Sequence, residues 1–161
     1  MDQHTFQFTY EMYPSIDALA EADANLLRLA IQNTKNAYAP YSHFQVGAMA
    51  LMANGKMVSG TNQENASYPI GICAERVLLS AASSLYPEVA IESIAISYHN
   101  AKGKSDRPIT PCGICRQSLV EYEARFKHPI RLILAGEEGR VMVIPKADRL
   151  LPFGFSAEDM K

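Results

Sequence analysis

The chain has 161 residues, of which 48% are hydrophobic and 20% charged. That is an ordinary globular composition, and the length fits one domain rather than two. The net charge of −2 excludes the basic footprint of a nucleic-acid binder and the polybasic signal of a membrane-surface protein, while a small uncharged substrate or a protein partner suits it.

Residues 1–11 alternate apolar and polar side chains with no basic region leading into an apolar core, so no secretory signal is expected. No run approaches the ~20 apolar residues of a membrane span. Phe6, Phe8, Tyr10 and Met12 fall at every second position and predict a half-buried strand. Pro14 and Ser15 punctuate the chain, with Ser15 as an N-cap. Over 16–36, Leu19, Leu26, Leu27, Ala30 and Ile31 form one apolar stripe and predict a helix, ended by Pro40. Residues 38–44 read as a loop. Residues 46–52 and 57–60 read as strands flanking Asn54-Gly55, which predicts a tight two-residue hairpin turn.

A second helix is expected from about Cys73 to Leu85, stopped by Pro87, then a β-branched strand over 91–98 and a polar loop over 100–111. A third helix starts near Cys112 and runs to about Arg125, followed by strands at 130–135 and 140–144. No repeat, linker or low-complexity tract divides the chain, so residues 1–161 are read as one domain. Strands alternating with helices predict an α/β layered fold with helices covering a mixed sheet of about five strands.

The three cysteines are Cys73, Cys112 and Cys115. An odd count without a secretion signal argues for reduced thiols in the cytoplasm rather than a disulfide scaffold. Cys112 and Cys115 are three apart at a helix start, so both sulfurs face one side. Cys73 also begins a helix, and helix N-termini bias thiols toward the ligating thiolate. Three thiolates leave one corner of a tetrahedral zinc site to fill, and none of His4, His43, His99 or His128 lies near a cysteine in sequence. An open corner marks a catalytic rather than a structural site.

Glu75, two residues after Cys73, is placed to act as general acid and base beside that metal. Zn²⁺ with three thiolates sums to −1, which weakens its Lewis acidity. The adjacent Arg76 is the candidate cation that offsets this, together with the helix termini. Alone, Cys112-x-x-Cys115 fits a redox dithiol equally well. The addition of Cys73-Ala-Glu75 favours metal, and a structural zinc completed by a histidine through the fold stays open.

The pattern Cys73-x-Glu75 with Pro111-Cys-x-x-Cys115 is the three-cysteine version of the zinc nucleobase deaminase signature. The chain resembles the homotetrameric cytidine deaminases from about Leu26 to Met160. The likeness includes Tyr38-Ala-Pro-Tyr-Ser-His-Phe-Gln-Val-Gly-Ala48, Asn62-Gln-Glu-Asn-Ala-Ser-Tyr-Pro-Ile-Gly-Ile-Cys-Ala-Glu-Arg76, Pro111-Cys-Gly-Ile-Cys-Arg-Gln117 and Leu150-Leu-Pro-Phe-Gly-Phe-Ser-Ala-Glu-Asp159.

The resemblance implies a three-layer α/β/α fold and hydrolytic deamination of cytidine and deoxycytidine to uridine and deoxyuridine, with ammonia release, in pyrimidine salvage. It implies one Zn²⁺ per subunit on Cys73, Cys112 and Cys115, with Glu75 as the proton shuttle that protonates the ring N3 and then carries the hydroxyl proton to the amino group. Asn62 and Glu64 would hold the ribose 3′-hydroxyl, Phe44 would pack on the pyrimidine, and the backbone around Ala74 would face the base. Tyr68 and Phe155 would reach a neighbouring subunit's pocket, in a cytoplasmic homotetramer with shared active sites. Three features depart from the family: an N-terminal extension over about residues 1–22, Gln63 in place of an aliphatic residue, and Gln45 in place of proline. A polynucleotide deaminase shares the zinc logic but lacks support from the charge. A blasticidin-type deaminase shares the chemistry, and a zinc-stabilised interaction module would need no Glu75.

Overall fold

A computed structural model describes residues 1–161. Six strands form one mixed sheet: β1 (Glu11–Tyr13), β2 (Phe44–Met52), β3 (Met57–Thr61), β4 (Ile91–Asn100), β5 (Arg131–Leu134) and β6 (Val141–Ile144). Three α-helices cover it: α1 (Glu21–Asn33), α2 (Ala74–Leu85) and α3 (Gly113–Phe126). The strand order is β1-β6-β5-β4-β2-β3, antiparallel throughout except for the β4/β5 pair.

The central strands are apolar on both faces, as a sheet sandwiched between helices requires. Ile94 and Ile96 of β4 and Leu132 and Leu134 of β5 join the core under α2 and α3. Ala95 and Ile133, one residue out of phase, join Ala24, Leu27 and Ala30 of α1 on the other side. The period of two in a strand thus sorts neighbouring residues into opposite layers, and the three-layer α/β/α architecture follows.

Three expectations need correction. The sheet has six strands against about five expected, the six including the strand foreseen in the N-terminal segment. That strand is only Glu11–Tyr13, paired with Val141–Val143 of β6. β6 ends at Ile144 and Pro145 follows, so there is no N–H beyond it to extend the ladder. The long first helix is interrupted: 3₁₀ turns at Ile16–Ala18 and Thr34–Asn36 bracket α1. Ser15 caps the first of these turns without a side-chain hydrogen bond, and Ala20 precedes α1.

The hairpin between β2 and β3 also differs from expectation. Gly55 N–H bonds to Met52 C=O at 2.8 Å and Met52 N–H to Lys56 C=O at 2.8 Å, which closes a three-residue loop. Gly55 takes φ +77 in it, the arrangement of a turn followed by a left-handed residue.

The topology positions the site. β2 runs antiparallel to both β3 and β4, so β3 and β4 point the same way. The segments leaving their carboxyl ends lead into α2 and α3 respectively, so both helix N-termini arrive at one edge of the sheet, where ligand sites of α/β folds gather.

Candidate metal centre and adjoining cleft

α2 and α3 each begin at a cysteine. Cys73 is the N-cap of α2 and Cys112 that of α3, and neither side chain makes a capping hydrogen bond. Those positions ordinarily hold Ser, Thr, Asp or Asn, whose oxygen bonds the free amides. Here the thiols turn to one another instead. Cys73 Sγ lies 3.7 Å from Cys112 Sγ, and Cys112 Sγ 3.4 Å from Cys115 Sγ. All three sulfurs lie within 4.8 Å of one another in a group that contains no histidine.

Sulfurs on a tetrahedral zinc with bonds of about 2.3 Å stand about 3.8 Å apart. The cluster matches that spacing, and its soft donor set suits zinc. Two helix N-termini converge on it with their partial positive charge. The Cys73 thiol is drawn down to about 6 by hydrogen bonds from Cys115 and Cys112 and by the charge of Arg76. Cys115, fully buried, is pushed up through its hydrogen bond to Cys73 and by burial.

Glu75 sits in the first turn of α2 and is only 6% exposed. Burial, joined by the charge of Cys73, holds its carboxyl above the ordinary carboxylate range, and a hydrogen bond from Cys115 works against this. A buried carboxyl two residues from a cysteine, with raised proton affinity, has the properties of a proton carrier at neutral pH.

A cleft of about 490 Å³ opens beside Cys73. Its walls include Asn62, Glu64, Tyr68, Ile72 and Tyr41. Glu64 accepts hydrogen bonds from the Tyr41 and Ser42 amides at 2.9 and 3.3 Å. The Ser42 hydroxyl and these two amides hold its carboxyl below the usual range. Asn62 is also on the wall, but its amide is already engaged: Oδ1 accepts from Val46 N–H at 2.7 Å and Nδ2 donates to Phe44 C=O at 2.9 Å. Asn62 thereby ties the loop after β3 to the start of β2.

Phe44, at that start, stacks on the buried Tyr98 ring with centroids 4.7 Å apart and planes inclined by 13°. Ala74 is fully buried, its carbonyl oxygen packed over Gly60. Tyr68 stands on the rim of the cleft of its own chain, edge-on to Tyr41 at 5.8 Å. Phe155 is exposed beside α3, its carbonyl accepting from Gln117 Nε2 at 2.7 Å. Arg76 acts on the cluster through charge.

The structure therefore brings Cys73, Cys112 and Cys115 together, with Glu75 beside Cys73 in the chain, and lines the adjoining cleft with Asn62, Glu64 and Tyr68. Phe44, Ala74 and Phe155 lie outside the lining of that cleft. Sequence reasoning missed Tyr41 and Ser42, whose amides hold Glu64, and His43, which takes φ +58 between Ser42 and Phe44. A left-handed histidine is a costly conformation at the mouth of a site, and only the Ala-Pro-Tyr-Ser-His string hinted at a shaped loop. It also assigned no role to Arg116 and Gln117. Arg116 bonds to the carbonyls of Pro111 and Leu150 and to Thr110 Oγ1 at 2.8, 3.1 and 3.0 Å, fastening the C-terminal segment across α3.

Comparison with known proteins places this geometry. Residues 20–127 match the family described as the cytidine and deoxycytidylate deaminase zinc-binding region. A cytidine deaminase of Halalkalibacterium halodurans is 40% identical over 135 residues, 84% of this chain and 95% of that one. One from Mycobacterium tuberculosis is 34% identical, over 88% of this chain and 96% of its own. The crystal structure of cytidine deaminase from Burkholderia pseudomallei superposes with a TM-score of 0.71 at 34% identity, covering 85% of this chain and all of that one.

Proposed function

Since the chain belongs to the cytidine and deoxycytidylate deaminase zinc-binding family, we infer that it is a zinc enzyme that hydrolyses the 4-amino group of cytidine, giving uridine and ammonia. Cys73, Cys112 and Cys115 would hold the metal. The observation that carries this reading is their convergence at two helix N-termini with the buried Glu75 beside Cys73. Zinc at such a centre supplies Lewis acidity that brings the pKa of water toward ~7, making hydroxide available at neutral pH.

The chain's own groups do the rest. Glu75 places a proton on N3 as water adds at C4, which relieves the charge that would otherwise build on the ring. It then moves a proton from the new hydroxyl to the amino nitrogen, so that the C4–N bond breaks with neutral ammonia as the leaving group. The charge balance is kept by Arg76, whose cation offsets the surplus of thiolate.

Glu64 and Asn62 orient the sugar through the 3′-hydroxyl. Glu64, held ionised by the Ser42 hydroxyl and the Tyr41 and Ser42 amides, accepts from that hydroxyl, and the Asn62 amide, fixed by the β2 backbone through Oδ1 and one Nδ2 hydrogen, offers its second Nδ2 hydrogen to it. Phe44, backed by Tyr98, packs on the pyrimidine, and the backbone at Ala74 faces the base. Deoxycytidine fits the same reading, since none of these contacts uses the 2′-hydroxyl. Residues 1–161 act as one deaminase unit, with residues 1–22 an extension of it. The functional state is a homotetramer in which Tyr68 and Phe155 complete a neighbour's pocket, working in cytoplasmic pyrimidine salvage.

The test is ammonia release from cytidine, deoxycytidine, adenosine and blasticidin in parallel, for wild type and Glu75→Gln. Cytidine and deoxycytidine should turn over and the other two should not. Glu75→Gln should retain one zinc per chain and nucleoside binding while turnover falls by about 10²–10⁴ or more. A Glu75→Gln enzyme working near the parental rate would remove Glu75 from the chemistry, and size-exclusion with light scattering tests the tetramer.

A further inference from the structure

The N-terminal arm precedes the residues matched to the family, and its trajectory is set by the sheet. β1 pairs antiparallel with β6, so the chain traced backward from Glu11 and the chain traced forward from Ile144 leave the sheet side by side. The first becomes the arm and the second the C-terminal segment. Along the arm, the aromatic side chains at every second position make a run of contacts. Tyr10 meets Phe8 at 6.3 Å, Phe8 meets Phe6 at 6.2 Å, and Phe6 meets Phe153 of the C-terminal segment at 6.5 Å between ring centroids. All three pairs are tilted by 50–53°, a favourable arrangement for rings with opposed edge and face charge. Phe6 also borders a hollow of about 210 Å³ floored by Val120 of α3 and by Leu151 and Pro152.

The segment that Phe6 meets is fastened on its other side to the metal centre's own helix. Arg116 and Gln117, immediately after Cys115, bond the carbonyls of Leu150 and Phe155. Residues 151–155 therefore lie between α3 and the arm. Phe153 is 90% exposed and Phe155 59% exposed, so neither ring is locked by core packing, and the bonds from the Arg116 and Gln117 side chains, the turn bonds at Leu151 and Gly154 and the arm hold the segment.

We propose that Phe6 is a positioning residue: through Phe153 it holds the C-terminal segment against α3 and so sets the place of Phe155. This rests on the reading of Phe155 as a substrate-pocket residue. The extension is then a strap that substitutes for absent core packing under an exposed aromatic segment.

The experiment compares wild type, Phe6→Ala, Phe6→Tyr and Phe155→Ala. It measures KM and kcat for cytidine, zinc per chain, and amide exchange of peptides spanning 150–161, where Leu151 and Gly154 N–H bond to Asp148 and Leu151 C=O. Phe6→Ala should raise KM about two- to tenfold, the weight of an aromatic pair. It should leave kcat and zinc unchanged and quicken exchange over 150–161, and Phe6→Tyr should restore both. Unchanged exchange in Phe6→Ala overturns the strap, whatever Phe155→Ala does. Faster exchange with an unchanged KM, where Phe155→Ala itself raises KM, overturns the positioning role while leaving the reading of Phe155 intact. An unchanged KM in Phe155→Ala overturns that reading and the positioning role with it.

Discussion

Gly60 of β3 lies directly against Ala74 at the start of α2. A Cβ on the glycine would stand 2.3 Å from Ala74 O and 2.5 Å from Leu78 N. Both obstacles are backbone, so nothing flexible can yield. The close approach brings the first turn of α2, with Cys73 and Glu75, down onto the sheet edge. Gly60→Ala should cost about 1–3 kcal/mol through overpacking and lift that turn away from Cys112 and Cys115. Urea unfolding together with zinc per chain measures both effects; a variant with wild-type stability and full zinc would show that α2 seats without the glycine.

Arg76 is the cation whose charge draws down the Cys73 thiol. It stands three residues after Cys73, in the first turn of α2. Arg76→Gln keeps length and polarity but removes the charge, leaving three thiolates and Zn²⁺ at a net −1. Zinc affinity should fall about 10- to 100-fold, as for other outer partners of a metal, with little change in the unfolding midpoint of the zinc-free protein. Competition with a chromophoric chelator reads this directly, and wild-type retention would remove Arg76 from the site.

Glu64 receives two backbone amides and holds its charge below the usual carboxylate range. Glu64→Gln loses an acceptor toward the sugar, so KM for cytidine should rise about tenfold, the penalty for an unpaired polar group in a site built for a hydroxyl. A substrate analogue lacking the 3′-hydroxyl should lose much less. Equal losses on both substrates would move Glu64 from sugar recognition to loop architecture.

Glu123, buried on α3, accepts from the N–H groups of Ile130, Ala147 and Asp148 at 2.7, 3.0 and 3.0 Å. It thereby joins α3 to β5 and to the 3₁₀ turn Ala147–Leu150. Burial still pushes its pKa above 4.5. The fold thus binds this proton more tightly than the unfolded chain does. The associated stability is complete below pH 4.5 and is lost as pH rises through the raised folded value. The stability of wild type relative to Glu123→Gln should therefore decline as pH rises above 4.5, while Glu123→Ala, which orphans two buried donors and one part-buried one, should cost at least ~1–3 kcal/mol throughout. Urea melts across that range test the sign, and a difference that grows with pH would contradict it.

Much of the site was legible in the chain because its signals are local. Cys112-x-x-Cys115 fixes two sulfurs on one face of one helix turn, and Cys73-x-Glu75 keeps a carboxyl within one turn of a thiol, whatever the rest of the chain does. The helices after Cys73 and Cys112 and the strands from β2 onward follow from apolar periodicity and from Pro and Gly punctuation. The N-terminal strand was overread, because alternation says that a segment can pair but not how long its partner is. β6 ends before Pro145, so pairing stops at Glu11. The three-residue hairpin loop escaped for a similar reason: Asn54-Gly55 suits more than one turn, and the register of β2 against β3 chose between them.

The sequence by itself determined the donor set, the carboxyl beside it and the layered α/β class, since each depends on spacings of a few residues. Tertiary structure alone decided that Cys73 meets Cys112 across the sheet edge, that the Asn62 amide is taken up by the β2 backbone, and that Phe6 reaches Phe153. Those contacts join residues far apart in the chain. Their geometry is set by strand order, by direction and by close approaches such as Gly60 under Ala74, which no short stretch of residues encodes.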